Sequence, residues 1–132
     1  HILRLFASGL FDKYPSLKII IGHDGEMLPF QLDRILPMSR KWSLRERDLL
    51  QVWTNNIWVT TSGMFSTTPF DCLRRTLPIS HILFSIDYPF CSNEQGRAFL
   101  EEIEKSGALT EEEVTMFAYK NAEELLKVTL QE

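Results

Sequence analysis

Cysteine is scarce in this chain. Cys72 and Cys91 are the only two, and they form no Cys-x-x-Cys pair, which excludes a disulfide framework and a cysteine-based zinc cluster. Two such thiols suit a reducing, cytoplasmic setting. Long apolar runs are missing as well. The clearest, Ile19-Ile20-Ile21 and Ile82-Leu83-Phe84, are strand-sized, far below the roughly 20 residues needed to cross a bilayer. Positive charge is not in surplus: 14 Lys and Arg stand against 18 Asp and Glu, a net charge of −4. No nucleic-acid or anionic membrane partner is expected from that balance. No repeat, low-complexity tract or linker divides the 132 residues, so residues 1–132 are read as one unit. The first residue is His1, not Met, and neither a charged n-region nor an apolar h-region follows it, so the chain is expected to begin inside a longer polypeptide.

What is present is the balance of an ordinary globular protein, 44% hydrophobic and 24% charged, with helix and strand patterns in alternation. Ile2, Leu3, Leu5, Phe6, Leu10 and Phe11 recur at helical spacing until Pro15. Lys18–Gly22 reads as a short buried strand. A helix follows through Pro29, Leu32 and Ile35, which Pro37 is expected to kink or end. Ser43 with Glu46 predicts a capping box for a helix carrying Leu49, Leu50 and Trp53. Ile57–Thr61 is a second strand, and Thr68-Pro69 opens a helix that Pro78 stops. His81–Ile86 is the third strand. Ser92 with Gln95, and Thr110 with Glu113, cap two further helices, the first ending near Gly107. Trp53, Trp58 and most of the nine phenylalanines read as core. The fold class is α/β, with three strands in a parallel sheet.

In parallel α/β architectures functional groups gather at the carboxyl ends of the strands. After the first strand comes Gly22-His23-Asp24-Gly25-Glu26, after the second Ser62-Gly63-Met64, and after the third Asp87-Tyr88-Pro89-Phe90. Adjacent strands lie about 5 Å apart, so His23, Glu26 and Asp87 converge on one rim. A neutral imidazole at His23 suits metal binding or proton transfer near neutral pH, and it equally suits a packing role at a strand end. Asp87 reads either as a functional carboxylate or as a turn residue bonding its own backbone. Glu26 has the alternative of a first-turn helix residue. His81, at the opposite end of its strand, reads as structural. The Arg40-Lys41-Trp42 stretch with Arg45 and Arg47 is interleaved with Glu46 and Asp48 and reads as a solvated face. Cys91 lies near the candidate site, with His23 the base in view.

The blocks Gly22-His23-x-Gly25-Glu26-x-Leu28-Pro29-Phe30 running to Asp33-Arg34, Asn56–Phe65, Phe84–Phe90 and Asn121–Leu126 resemble the amidohydrolase-related decarboxylases. That group includes 2,3-dihydroxybenzoate, γ-resorcylate and 5-carboxyvanillate decarboxylases and, more distantly, aminocarboxymuconate semialdehyde decarboxylase. The resemblance implies a metal-dependent (β/α)8 barrel. At 132 residues the chain is too short for the about 200 that a whole barrel needs, and it resembles the C-terminal portion, about three βα units. It further implies that Asp87 binds a divalent metal (zinc, manganese or magnesium) and takes part in proton transfer. His23 and Glu26 would share the catalytic work, Phe90 would contact substrate, and Arg34 would reach a neighbouring subunit's site in a dimer or tetramer. The family's first-strand Glu/His-x-His ligands and fifth-strand histidine have no counterpart, so the implied ligand set is incomplete, and His1 lies on the wrong element to supply it. Asp24 replaces a usual apolar residue and adds a charge beside the site, and Cys91 stands where an acidic residue is frequent.

The function so implied is non-oxidative decarboxylation of a hydroxybenzoate-like aromatic acid by the full-length protein. The alternatives are a metal-dependent hydrolase of the same superfamily, or an inactive fragment acting as an interaction module. An open three-stranded sheet has two apolar edges, so a covering partner is expected.

Overall fold

Glycine at position 9 sets the first feature of the fold. Its φ of 80° is a left-handed conformation that ends α1 (Ile2–Ala7) and starts α2 (Leu10–Lys13). The single amino-terminal helix expected from the apolar periodicity is therefore two short ones. The computed structural model describes residues 1–42 and 45–129. After α2 come β1 (Ile19–Ile21), a short 3-10 turn at His23–Gly25, α3 (Leu28–Ser39), α4 (Leu49–Asn56), β2 (Ile57–Thr60) and α5 (Thr67–Arg74). Then follow β3 (Ile82–Leu83), α6 (Asn93–Ser106), α7 (Glu111–Thr115), a π-helical turn at Met116–Lys120 and α8 (Asn121–Leu126).

Three further boundaries differ from the sequence reading. β3 is Ile82–Leu83 rather than His81–Ile86, because His81 closes a 3-10 turn and residues beyond Leu83 bond to partners other than β2. α3 runs through Pro37 to Ser39. Proline there falls in the last turn, so its missing amide removes one intrahelical bond close to the helix end and little helix follows to be disrupted. The helix after it starts at Leu49, capped by Asp48 and Gln51 in a reciprocal capping box, not by Ser43 and Glu46. Ser43 lies outside the described residues. The Glu46 and Arg47 amides are instead donated to the Asp12 carboxylate at 3.3 Å each, which holds that stretch out of a helix. The boxes at Ser92/Gln95 and Thr110/Glu113 and the left-handed Gly107 at the end of α6 form as expected.

The three strands are parallel in the order β1-β2-β3. Ile19 is in register with Ile57, Ile21 with Val59, and Val59 with Ile82. These residues form one face, and Ile57, Val59 and Ile82 have no exposed surface. They pack with Phe11, Trp53, Phe70, Leu73, Phe99, Ile103 and Phe117. Each such side chain contributes roughly 1.5–3 kcal/mol when fully buried. Phe30 and Phe90 are the phenylalanines that stay exposed. On the other face Trp58 stacks on His81 at 3.9 Å between ring centres. His81 Nδ1 lies 2.8 Å from the Ile57 carbonyl oxygen, the structural role read from its position.

Strands this short leave backbone groups for side chains to satisfy. Buried Asn56 donates to the carbonyls of Pro15 and Leu17 (2.9 and 2.6 Å), and buried Asn121 to those of Ile79 and Ile82 (2.7 and 2.9 Å). No helix among the described residues is long and apolar enough to cross a membrane.

α6 approaches β3 through Gly96, where an added Cβ would sit 2.7 Å from Ile86 Cγ1 and 3.2 Å from Phe84 Cζ. Gly96→Ala is expected to lower unfolding stability by about 1–2 kcal/mol, the overpacking cost exceeding the helix-propensity gain. Urea unfolding measures this, and a stabilised variant would contradict the close approach.

Candidate active site

Beyond Ile21, Thr60 and Leu83 the chain turns sharply, and five non-glycine residues at these strand ends take positive φ. They are His23 (53°), Asp24 (51°), Glu26 (56°), Ser62 (35°) and Asp87 (69°). Conformations of this kind cost on the order of 1–3 kcal/mol each and collect at functional sites. The result is a meeting of side chains from two of the three strand ends. His23 Nε2 lies 3.5 Å from Asp87 Oδ2, and His23 Nδ1 lies 3.7 Å from Glu26 Oε1. The imidazole thus stands between two carboxylates, one from its own turn and one from the loop after β3. All three side chains are partly or largely open to solvent.

The third strand end contributes backbone. A Cβ at Gly63 would lie 3.4 Å from Asp87 Oδ2 and 3.1 Å from Cys91 Sγ, so Cys91 is beside the site as read from sequence. The Asp87 carbonyl accepts the amides of Phe90 and Cys91 at 2.8 and 3.2 Å, closing a tight turn that contains a cis Tyr88–Pro89 peptide. That turn presents Phe90, which is 85% exposed. Arg34 is exposed on α3, and no ion pair joins it to the other candidates among the described residues. His23, Glu26 and Asp87 are brought together; Arg34 is not.

Sequence reasoning missed a layer of hydroxyls under the site. Thr60 Oγ1 and Ser62 Oγ are 2.6 Å apart, and Ser62 Oγ and Ser85 Oγ 2.8 Å. Thr61 Oγ1 donates to the Ser85 carbonyl at 2.8 Å and accepts the Ser85 amide at 3.0 Å. The signal in the sequence was the run Thr60-Thr61-Ser62 with Ser85 two residues before Asp87. A mainly apolar cavity of about 320 Å³ opens beside Glu26, lined also by Asp24, Pro29, Phe30, Met64 and Cys72. It has the size of a small-molecule pocket, although His23 and Asp87 do not line it.

Comparison with known proteins identifies the family. The model of the amidohydrolase family matches residues 1–128. The chain belongs to the amidohydrolase family. It is 53% identical over 131 residues to the decarboxylase orsB of Emericella nidulans, covering 97% of this chain and 40% of that protein. It superposes on 5-carboxyvanillate decarboxylase LigW from Sphingomonas paucimobilis with a TM-score of 0.88 at 28% identity, over 97% of this chain and 39% of that one. Dihydroxybenzoic acid decarboxylase from Polaromonas sp. JS666, solved with bound manganese and the inhibitor 2-nitroresorcinol, gives a TM-score of 0.82 at 34% identity, over 95% and 38% of the two chains. This chain therefore spans about 40% of the length of the relatives it matches.

For an amidohydrolase the donor set is a direct question. Among the described residues no three His, Cys, Asp or Glu side chains are grouped to hold a metal ion. Asp87 offers a carboxylate of the kind a divalent cation accepts. One carboxylate falls short of the roughly four or more donors such an ion takes. The described residues do not by themselves fit a complete metal centre.

Asp24 departs from the expectation that it adds a charge beside the site. Its side chain is buried, with 3% of the residue exposed, and among the described residues neither carboxyl oxygen has a hydrogen-bond partner. Burial pushes its pKa up from 3.8 to about 7, since an ionised carboxylate without water or a partner is disfavoured. The folded protein thus holds a proton that the unfolded chain releases near pH 4. Stability contributed by the neutral form is full below about pH 4 and is lost as pH rises through about 7. A shift of this size corresponds to roughly 4 kcal/mol at most. Asp24→Asn, which stays neutral and tolerates the left-handed backbone, is expected to flatten the decline in unfolding free energy between pH 5 and pH 8. Equal slopes for the variant and the parent would contradict a buried, unpaired carboxyl.

Proposed function

We propose that residues 1–132 form a partial amidohydrolase-related domain, the last three βα units of a metal-dependent (β/α)8 barrel, and that the complete protein decarboxylates a hydroxybenzoate-like aromatic acid. One observation carries the reading: His23 stands between the carboxylates of Asp87 and Glu26 on the strand-end rim of a chain 53% identical to a decarboxylase. The parallel order β1-β2-β3 with intervening helices supports the barrel portion.

The reaction makes a specific demand. The ring carbon bearing the carboxylate has to gain a proton. The carbon–carbon bond then breaks, its electron pair restores the aromatic ring, and CO2 leaves. A hydroxyl group ortho to the carboxylate raises electron density at the carbon to be protonated. Asp87 delivers the proton to that carbon, and His23, 3.5 Å from Asp87 Oδ2, passes a proton to it. Glu26, 3.7 Å from the other ring nitrogen, orients the imidazole and favours a proton on Nδ1. Phe90 offers an exposed aromatic face to the substrate ring. A divalent ion (zinc, manganese or magnesium) with Asp87 among its ligands and the remainder supplied from outside these residues would hold the acid by its oxygens. Arg34, exposed on α3, reaches the site of a second subunit in a dimer or tetramer. The free thiols of Cys72 and Cys91 fit a cytoplasmic location.

The test is CO2 release from a panel of hydroxybenzoates by the complete protein, parent against Asp87→Asn. Loss of a positioned proton donor is expected to lower kcat by at least about 100-fold. An unchanged rate sinks the assignment. Hydrolysed products without CO2 would point instead to a metal-dependent hydrolase.

A further inference from the structure

The segment that delivers Asp87 is not held by the sheet. β3 has two residues, Ile82 and Leu83, and its ladder with β2 ends at the Thr60–Leu83 register. Asp87 lies four residues further on, yet each intervening residue with a defined partner is fixed by a different element. The Phe84 amide is donated to the Phe117 carbonyl at 3.1 Å, from the π-helical turn. Ser85 has both backbone groups taken by one side-chain oxygen, Thr61 Oγ1, at 2.8 and 3.0 Å. Ile86 is seated against Gly96 of α6, where a side chain would collide with it.

Thr61 is the centre of this clamp. It has no exposed surface, and its amide is donated to the Leu83 carbonyl at 3.1 Å. Its backbone therefore holds the last ladder residue of β3, while its side chain acts as the ladder partner for Ser85. The next residue along, Ser62, donates its amide to Ser85 Oγ at 3.0 Å. Hydrogen bonds in so dry a place cannot be exchanged for water without leaving a buried group unpaired.

Resting on the decarboxylase reading above, we infer that Thr61 is a positioning residue for Asp87: its hydroxyl takes over from the sheet ladder where β2 and β3 part, and so sets the Asp87 carboxylate against His23. Thr61 touches neither substrate nor the reacting atoms in this scheme. It acts through Ser85, two residues before Asp87 in the chain. Valine at the position keeps shape and volume and deletes the two bonds, whereas serine keeps them.

The experiment compares the complete protein with Thr61→Val and Thr61→Ser. Misplacement of a reacting group by about 1 Å costs up to about 100-fold, so Thr61→Val is expected to lower kcat for CO2 release by 10- to 100-fold. KM should stay within about threefold and Thr61→Ser should restore kcat. A merely structural role would lower the melting temperature and leave the kcat of the folded enzyme and its pH profile unchanged, and that result overturns the inference. So does a serine variant as slow as the valine one. Should Thr61→Val fail to fold, Thr61→Ala replaces it. If the parent releases no CO2 from any acid of the panel, the decarboxylase reading fails on its own. The crystal structure of the Thr61→Val protein then decides the positioning role. An Asp87 carboxylate displaced from His23 supports it, and an unmoved one refutes it.

Discussion

Buried backbone amides and carbonyls have to be paired, and in this chain strands of three, four and two residues cannot pair their own. That shortage organises the molecule. At the entry side of the sheet two buried asparagines fill the gap. Asn56, the last residue of α4, takes the carbonyls that precede β1, and Asn121, the first residue of α8, takes carbonyls around the start of β3. At the exit side Thr61 does the same for Ser85. Helix ends and strand ends are thus tied by side chains that resemble amide and hydroxyl fragments of backbone. A parallel sheet two to four residues deep stays in register because these groups continue it.

The same economy places the chemistry. A longer β3 would carry residues 84–87 onward in extended conformation, with the Asp87 side chain projecting from one face of the sheet. Ending the ladder at Leu83 frees the chain to turn, and Asp87 turns with a φ of 69°. His23 and Glu26 arise from a comparable turn after β1, where His23, Asp24 and Glu26 all sit in the left-handed region. Three strained residues in one four-residue turn need support from elsewhere. Part of it comes from below, where Pro29 of α3 and Trp53 of α4 crowd Gly25 so closely that a Cβ there would meet both. Strain is tolerated at the rim because the face underneath is packed without exposed surface.

Much of this was legible in the residues. The capping boxes at Ser92 and Thr110, the isoleucine strand and the β-branched strand at Ile57 follow from local patterns whose physics is local, and the convergence of His23, Glu26 and Asp87 follows from the rule that parallel strands gather their carboxyl ends on one rim. What was not legible depends on contacts between distant segments. Asp12 withdraws the Glu46 and Arg47 amides from a helix, and nothing near Ser43 in sequence announces it. β3 reads as a six-residue strand because Phe84, Ser85 and Ile86 are apolar or small. Its ladder stops because partners other than β2 take over. Asp24 reads as an added charge, and only its burial, without a partner among the described residues, reveals a carboxyl whose pKa is pushed up to about 7.

One mismatch between pattern and packing remains informative. Ile19-Ile20-Ile21 has no alternation of polar and apolar residues, the signature of a parallel strand covered on both faces. In this chain Ile19 and Ile21 pack into the core while Ile20, between them, is 46% exposed. Ile20 shares its face with Trp58, which is shielded by the His81 ring and the Lys18 side chain rather than by a second layer. A run of three isoleucines is thus half used. An unpartnered polar strand face would have served a free-standing domain better, and nothing in the solubility of a chain with charge −4 calls for isoleucine there. The composition of β1 therefore supports the reading of this sheet as a sector of a larger one, in which the Ile20 face turns inward. On that reading the apolar character of Ile20 answers to a face that the larger sheet would cover, and the core face of β1 answers to the helices packed beneath it.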